Sequence, residues 1–257
     1  MNFTDQMGRR VALAHWPPRR IVSLVPSQTE FLADLGLENE VVGITKFCVR
    51  PSEWFQSKPR VGGTKTLDFQ KIEALRPDLL IGNKEENEQS QIEHLAQRYP
   101  VWMSDILTLR HALDMMQRVG QLTGKSEPAN KLAFQIEIEF AHRSSFIVHR
   151  SKVVYLIWRK PYMAAASGTF IDDMLRRAGF ENAFAHLSRY PEISPEQLAA
   201  ARPDILLLSS EPYPFSEKHF PALQEICPDA RIQLVDGEMF SWYGSRLLHA
   251  PAYFAKL

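Results

Sequence analysis

Apolar residues gather in seven short runs, at residues 21–25, 41–44, 79–82, 101–103, 153–158, 205–208 and 232–235. Runs of this length are too short for an independent helix and match strands buried on both faces of a parallel sheet. Between them, at 29–35, 68–75, 88–98, 109–122, 170–177 and 195–201, apolar positions recur with helical spacing. Strand and helix in alternation predict an α/β fold.

The pattern also repeats. Ile72 to Leu80 reads I-E-A-L-R-P-D-L-L and Leu198 to Leu206 reads L-A-A-A-R-P-D-I-L, each a helix end, a proline stop and a buried strand. Earlier in each half, L-G-L-E-N at Leu35 and A-G-F-E-N at Ala178 place a glycine where a helix ends. Two matches in the same order predict two lobes of one design. Between the halves, Ser126 can cap a helix with Pro128 in its first turn, and Ala129, Leu132, Ala133, Ile136 and Phe140 form one stripe. The expected architecture is two Rossmann-like lobes with central, mostly parallel sheets, residues 1–125 and 150–257, bridged by one long helix at 126–149. A packing helix inside one domain is the alternative.

Open α/β sheets bind ligands beyond the carboxyl ends of their strands. Aromatic and polar residues collect there in this chain: Phe47, Arg50, Trp54 and Thr64, then Asn83 and Lys84; in the second half Trp158, Arg159 and Tyr162, then Tyr190, and finally Glu238, Trp242, Tyr243 and Arg246. Flat walls with a few polar anchors suit a large, partly apolar ligand held in a cleft between the lobes. The acidic trio Glu85, Glu86 and Glu88 reads as a solvated loop or as a cation-binding one.

Familiar catalytic marks are missing. Gly124-Lys125-Ser126 resembles the tail of a phosphate loop, but Val119 occupies the required glycine position and a helix precedes it. There is no G-x-S-x-G elbow, no G-x-G-x-x-G after a strand and no H-E-x-x-H. No enzyme activity, catalytic residue, cofactor or resident metal is expected. Thirty basic and thirty acidic residues cancel, so no overall field favours nucleic acid. Cys48 and Cys227 fall in different lobes and are expected as free buried thiols. Met1 to His15 carries no apolar leader segment, which keeps a cytoplasmic location open.

The stretches R-I-V-S-L-V-P-S-Q-T-E at Arg20, L-G-L-E-N-E-V-V-G at Leu35, R-V-G-G-T at Arg60 and the two R-P-D strands resemble the substrate-binding proteins of ABC importers of the helical-backbone class. Phe3 to Val11 resembles their first strand region. The resemblance implies capture of cobalamin, an iron-siderophore or haem, a permease partner, a periplasmic or cell-envelope location and a monomer. The branch it resembles most binds cobalamin: Tyr190 falls where that branch has an aromatic over the corrin, and Arg246 matches a pocket arginine. Asn83 and the G-G-T around Thr64 stand where it has aromatics. Gln70 and Glu196 match the positions that dock onto the permease. An intracellular carrier or sensor of a corrinoid or metal chelate is the alternative, with an enzyme or metal-cluster protein of the same build as a third reading.

Overall fold

The first four apolar runs pair as parallel strands in one sheet because none leaves a polar face for water. The structure, a computed structural model, describes residues 1–144 and 151–257. A short hairpin of β1 (Asn2–Thr4) and β2 (Arg10–Ala12) precedes β3 (Ile21–Ser23), α1 (Pro26–Asp34), β4 (Val41–Ile44) and α2 (Ser52–Ser57). Then come α3 (Phe69–Leu75), β5 (Leu79–Asn83), α4 (Gln89–Ala96), β6 (Val101–Ser104), α5 (Leu109–Thr123) and α6 (Ser126–Ser144). The strand order is β4-β3-β5-β6.

The second half runs β7 (Lys152–Trp158), β8 (Tyr162–Ala164), α7 (Phe170–Arg177), β9 (Glu181–Asn182), β10 (Glu192–Ile193), α8 (Pro195–Ala201) and β11 (Ile205–Ser209). It closes with α9 (Phe220–Ile226), β12 (Arg231–Val235), α10 (Glu238–Ser241) and α11 (Ala250–Phe254). Its sheet has the order β10-β8-β7-β11-β12, with β9 also on β7. The β7, β9, β11 and β12 strands run parallel, whereas β8 and β10 are antiparallel. Val154, Leu156, Leu206 and Leu208 from its centre pack with Phe184, Leu198 and Leu223.

The repeat acts as a registration lock. Helices α3 and α8 start on side-chain caps, Asp68 and Ser194, and both end on an arginine in the left-handed region, Arg76 at φ 43° and Arg202 at φ 45°. After the proline, Asp78 accepts from the backbone N–H groups of Arg19 and Arg20 at 2.7 and 2.8 Å. Asp204 accepts from Lys152 N–H at 2.7 Å. Each aspartate therefore ties the start of its own strand to the start of the strand beside it. The other repeated pair is equally local: Gly36 (φ 69°) and Gly179 (φ 82°) turn the chain after α1 and α7, a conformation costly for residues with a Cβ.

The two R-P-D strands lie in different sheets, as the two-lobe reading requires. Contacts divide the chain into one unit of Met1–Ile106, Arg110–Glu137 and Tyr243–Arg246, and another of Leu107–Leu109, Ile138–Trp242 and Leu247–Leu257. These differ from the boundaries expected at 125 and 150 in three ways, the first being that Leu107–Leu109, expected with the first lobe, group with the second unit. Helix α6 is shared, its first part grouping with the first unit and the part from Ile138 with the second. Residues 243–246, expected with the second lobe, are part of the first. The expected run of the helix to 149 ends on residues 145–149, which lie outside the described residues.

Candidate functional site

In the first unit, the carboxyl ends of the strands are joined by a buried polar network. Gln28 donates to Ser104 Oγ at 2.6 Å, and Asn83 Nδ2 donates to the same oxygen at 2.9 Å. Asn83 Oδ1 accepts from the N–H groups of Glu85 and Glu86, while Asn83 N–H donates to Asn87 Oδ1 at 2.8 Å. Asn87 also donates to the Thr64 carbonyl at 3.1 Å. Thr29 and Thr45 hydroxyls lie 3.0 and 3.1 Å from Cys48 Sγ, and burial pushes that thiol up to about 11.

This network changes the reading of several residues. Asn83, expected to line a pocket, is buried and builds the turn that presents Glu85 and Glu86. Trp54 is 4% exposed and lies under the Lys58 ammonium, 4.6 Å from its ring centroid, so it belongs to the core rather than to a ligand wall. Thr64 contributes its carbonyl to Asn87, and Lys84 pairs with Asp105 at 2.6 Å. Phe47, also expected at a strand end, does face outward, 50% exposed, with Lys46 Nζ 5.1 Å from its centroid.

Tyr243 and Arg246 also belong to the first unit. Tyr243 is buried and donates to Glu86 Oε1 at 2.8 Å; burial, with the Glu86 charge beside it, holds its hydroxyl well above the usual phenol range. Arg246 sets both prongs of its guanidinium on Glu30. The expected pocket arginine is thus an internal clamp, because a planar fork fits a carboxylate in two places at once.

In the second unit the segments after β11 and β12 meet at Glu211, and Tyr155 from the middle of β7 joins them through Ser209. Tyr155 donates to Ser209 Oγ at 3.1 Å, and Ser209 donates to the Glu211 carbonyl. Glu211 Oε1 accepts from Ser241 Oγ at 2.6 Å and from Trp242 Nε1 at 2.9 Å. Gly237 makes this possible, since a Cβ there would stand 2.4 Å from Ser209 Oγ and 2.7 Å from Glu211 Cγ. Burial raises the Glu211 carboxyl above its ordinary value in spite of those two donors. Trp242, expected to face the ligand, is buried with its indole N–H on Glu211. Glu238 opens α10, half-buried, with its N–H on Asp236.

Next to this lies an open aromatic corner. Trp158 ends β7 and is 40% exposed; its ring meets Tyr213 edge-on at 5.6 Å between centroids. Tyr213 is held by its N–H on the Ile157 carbonyl and by its hydroxyl 3.2 Å from His219 Nε2. Arg159 and Tyr162 flank them, on either side of the turn in which Lys160 takes φ 66°. Of the second-half residues expected at a site, the structure gathers Trp158, Arg159 and Tyr162 here. The Tyr190 backbone lies beside Ala165, level with Tyr155, three residues or roughly 10 Å back along β7 from its end. Tyr213, His219 and Glu211 had not been singled out. A signal existed: the register that pairs Leu80 with Leu206 pairs Asn83 with Ser209 and Glu85 with Glu211, marking Ser209 to Phe215 as the counterpart of the first unit's turn.

Two α/β units of one design carry polar networks and outward aromatics at their strand ends, where open α/β sheets hold small molecules. The chain belongs to the periplasmic binding protein family, whose model matches residues 21–226. That bears out the resemblance to importer substrate-binding proteins. The chain is similar to the vitamin B12-binding protein of Vibrio campbellii, 26% identical over 202 residues, which are 77% of this chain and 73% of that one. Among solved structures, the periplasmic vitamin B12-binding protein of Vibrio cholerae shares the fold with a TM-score of 0.79 at 21% identity, over 93% of this chain and 96% of that one. The periplasmic heme-binding protein of Roseiflexus sp. RS-1, in apo form, matches with a TM-score of 0.76 at 25% identity, over 93% and 98%.

Proposed function

We propose that this protein captures a bulky chelate, cobalamin first and haem or an iron-siderophore next, and delivers it to an ABC importer permease from the periplasmic side. The observation that carries the reading is the Trp158 ring, left open to solvent at a strand end and braced edge-on by Tyr213. A rigid, half-exposed aromatic offers a flat ligand a large contact area with little ordering cost. Similarity to vitamin B12-binding proteins supports cobalamin as the first ligand to test. For the permease, Gln70 and Glu196 both occupy the second position of a capped helix, α3 and α8, and both are exposed. Only Glu196 offers a carboxylate there; Asp68, the nearest substitute on the first unit, is an N-cap paired with Lys71 at 3.1 Å.

Calorimetric titration with cyanocobalamin, haemin and a ferric hydroxamate siderophore tests the reading. Micromolar or tighter binding of one of them is expected. Burying an aromatic face contributes roughly 1.5 to 3 kcal/mol, so Trp158→Ala should weaken that ligand by about one to two decades. Absence of binding by all three chelates would overturn the assignment.

A further inference from the structure

Trp158 is the open aromatic on which the binding role rests, and its ring meets Tyr213 edge-on. Such a contact fixes a ring only as firmly as the neighbour is itself fixed. The Tyr213 backbone is pinned. Pro212 before it has a locked φ, Pro214 after it disfavours a helical conformation, and its own N–H donates to the Ile157 carbonyl of β7 at 3.3 Å. The side chain needs anchors of its own. Phe215 packs against the ring with centroids 4.8 Å apart, and the hydroxyl at the far end lies 3.2 Å from His219 Nε2.

His219 is buried and closes a short 3-10 turn, Glu217–His219. Burial, and then the Arg159 charge, push its pKa down, so the ring is neutral at pH 7. Both neutral tautomers make the same link. With the proton on Nδ1, that nitrogen donates to the Ser216 carbonyl at 3.1 Å and Nε2 accepts from the Tyr213 hydroxyl. With the proton on Nε2, Nδ1 accepts from the Ser216 N–H at 3.0 Å and Nε2 donates to the Tyr213 oxygen. Either way the imidazole ties the Ser216 backbone to the end of the Tyr213 side chain. Closing the turn requires Nδ1 alone; Nε2 is committed to Tyr213.

We infer that His219 is a positioning residue of the binding site: through Nε2 it fixes the Tyr213 ring, and through that ring the angle at which Trp158 meets a flat ligand. This rests on the binding role proposed above, to which it adds a residue that touches no ligand. A wall already held in place costs less ordering on binding than one that must be immobilised by the ligand.

Asparagine and glutamine separate the two nitrogens. An asparagine amide reaches about as far as Nδ1 and can serve Ser216 but not Tyr213, whereas a glutamine amide reaches about as far as Nε2 and can serve Tyr213. Wild type, His219→Asn, His219→Gln, Tyr213→Phe and the double variant His219→Asn with Tyr213→Phe are titrated with cyanocobalamin, haemin and a ferric hydroxamate siderophore. Melting curves confirm folding. His219→Asn should weaken the chelate that wild type binds by about threefold or more, and His219→Gln should stay within about twofold. Tyr213→Phe should weaken it as His219→Asn does, a result that stands even if no His219 variant folds. In the Tyr213→Phe background, His219→Asn should cost nothing further. A ligand-free readout is acrylamide quenching of Trp158, taken as the difference between each protein and its Trp158→Phe counterpart; it should rise with asparagine and not with glutamine. Glutamine losing as much affinity as asparagine, asparagine losing the same in both Tyr213 backgrounds, or quenching that asparagine leaves unchanged overturns the positioning role and leaves the binding role intact. A wild type that binds none of the three chelates overturns the binding role itself, and the inference with it.

Discussion

Arg246 meets Glu30 through Nε at 2.9 Å and again through a terminal guanidinium nitrogen, with side chains only 12% and 16% exposed. Removing one partner strands the other charge away from water, which costs about 3 to 5 kcal/mol in buried pairs. Arg246→Ala should therefore lower the melting midpoint strongly, and Arg246→Lys should recover only part of it, because an ammonium cannot make both contacts. Chelate affinity of the folded fraction should change little. Lost affinity at an unchanged midpoint would instead return Arg246 to the binding site.

The thiols should be inert in the native protein. Cys48 sits at about 11, so at pH 8 roughly one molecule in a thousand carries the reactive thiolate. Burial raises Cys227 as well. Iodoacetamide at pH 8 should modify neither residue within an hour and both once denaturant is added; mass spectrometry counts the adducts. Rapid native alkylation of Cys48 would contradict the packing around Thr29 and Thr45.

Glu211 gives a pH signature. Its folded pKa lies above the ordinary glutamate value of 4.5, chiefly through burial, with the Glu238 and Asp236 charges adding to the rise. A carboxyl raised on folding favours the folded state when protonated; that contribution is full below 4.5 and is lost as pH climbs through the raised value. Glu211→Gln stays neutral throughout, and its side-chain oxygen can still accept from Ser241 and Trp242. The variant should thus melt above wild type at pH 7 and close to it at pH 4. An advantage that is the same at both pH values would remove Glu211 titration as its cause.

Arg202 occupies the left-handed region at φ 45°, where an L-residue is strained and glycine is not. Arg202→Gly should raise stability by up to about 1 kcal/mol, or about 2 to 4 °C in a chain of this size. Arg76→Gly should act alike in the first unit. Arg202→Ala serves as the control, since it keeps the Cβ; an equal gain from alanine would trace the effect to the side chain instead.

How much of this was legible in the sequence depended on range. The locks at Asp78 and Asp204, the glycines after α1 and α7 and the parallel strands are local, and the repeated motifs carried them. Strands β8 and β10 were not legible, because three and two residues give no periodicity to read. At the site, residue type pointed to aromatics at strand ends but not to their direction. Trp158 faces water, whereas Trp54 and Trp242 lie in the interior, one under a lysine and one bonded to Glu211. Tyr213 and His219 were hidden in S-S-E-P-Y-P-F-S-E-K-H, a stretch whose prolines read only as loop. Tyr243 and Arg246 were assigned by sequence neighbourhood, yet their partners Glu86 and Glu30 come from the opposite end of the chain.

That long return has a consequence for anyone who would dissect the molecule. Residues 243–246 belong to the first unit although the chain on both sides of them belongs to the second. No single cut yields either half intact. A fragment ending at residue 125 leaves Glu30 and Glu86 without Arg246 and Tyr243, while the complementary fragment carries those two side chains away from the carboxylates they were built to meet. Tyr243 to Arg246 are therefore a folding requirement of the first unit, which cannot complete its own contacts until these four residues have been made.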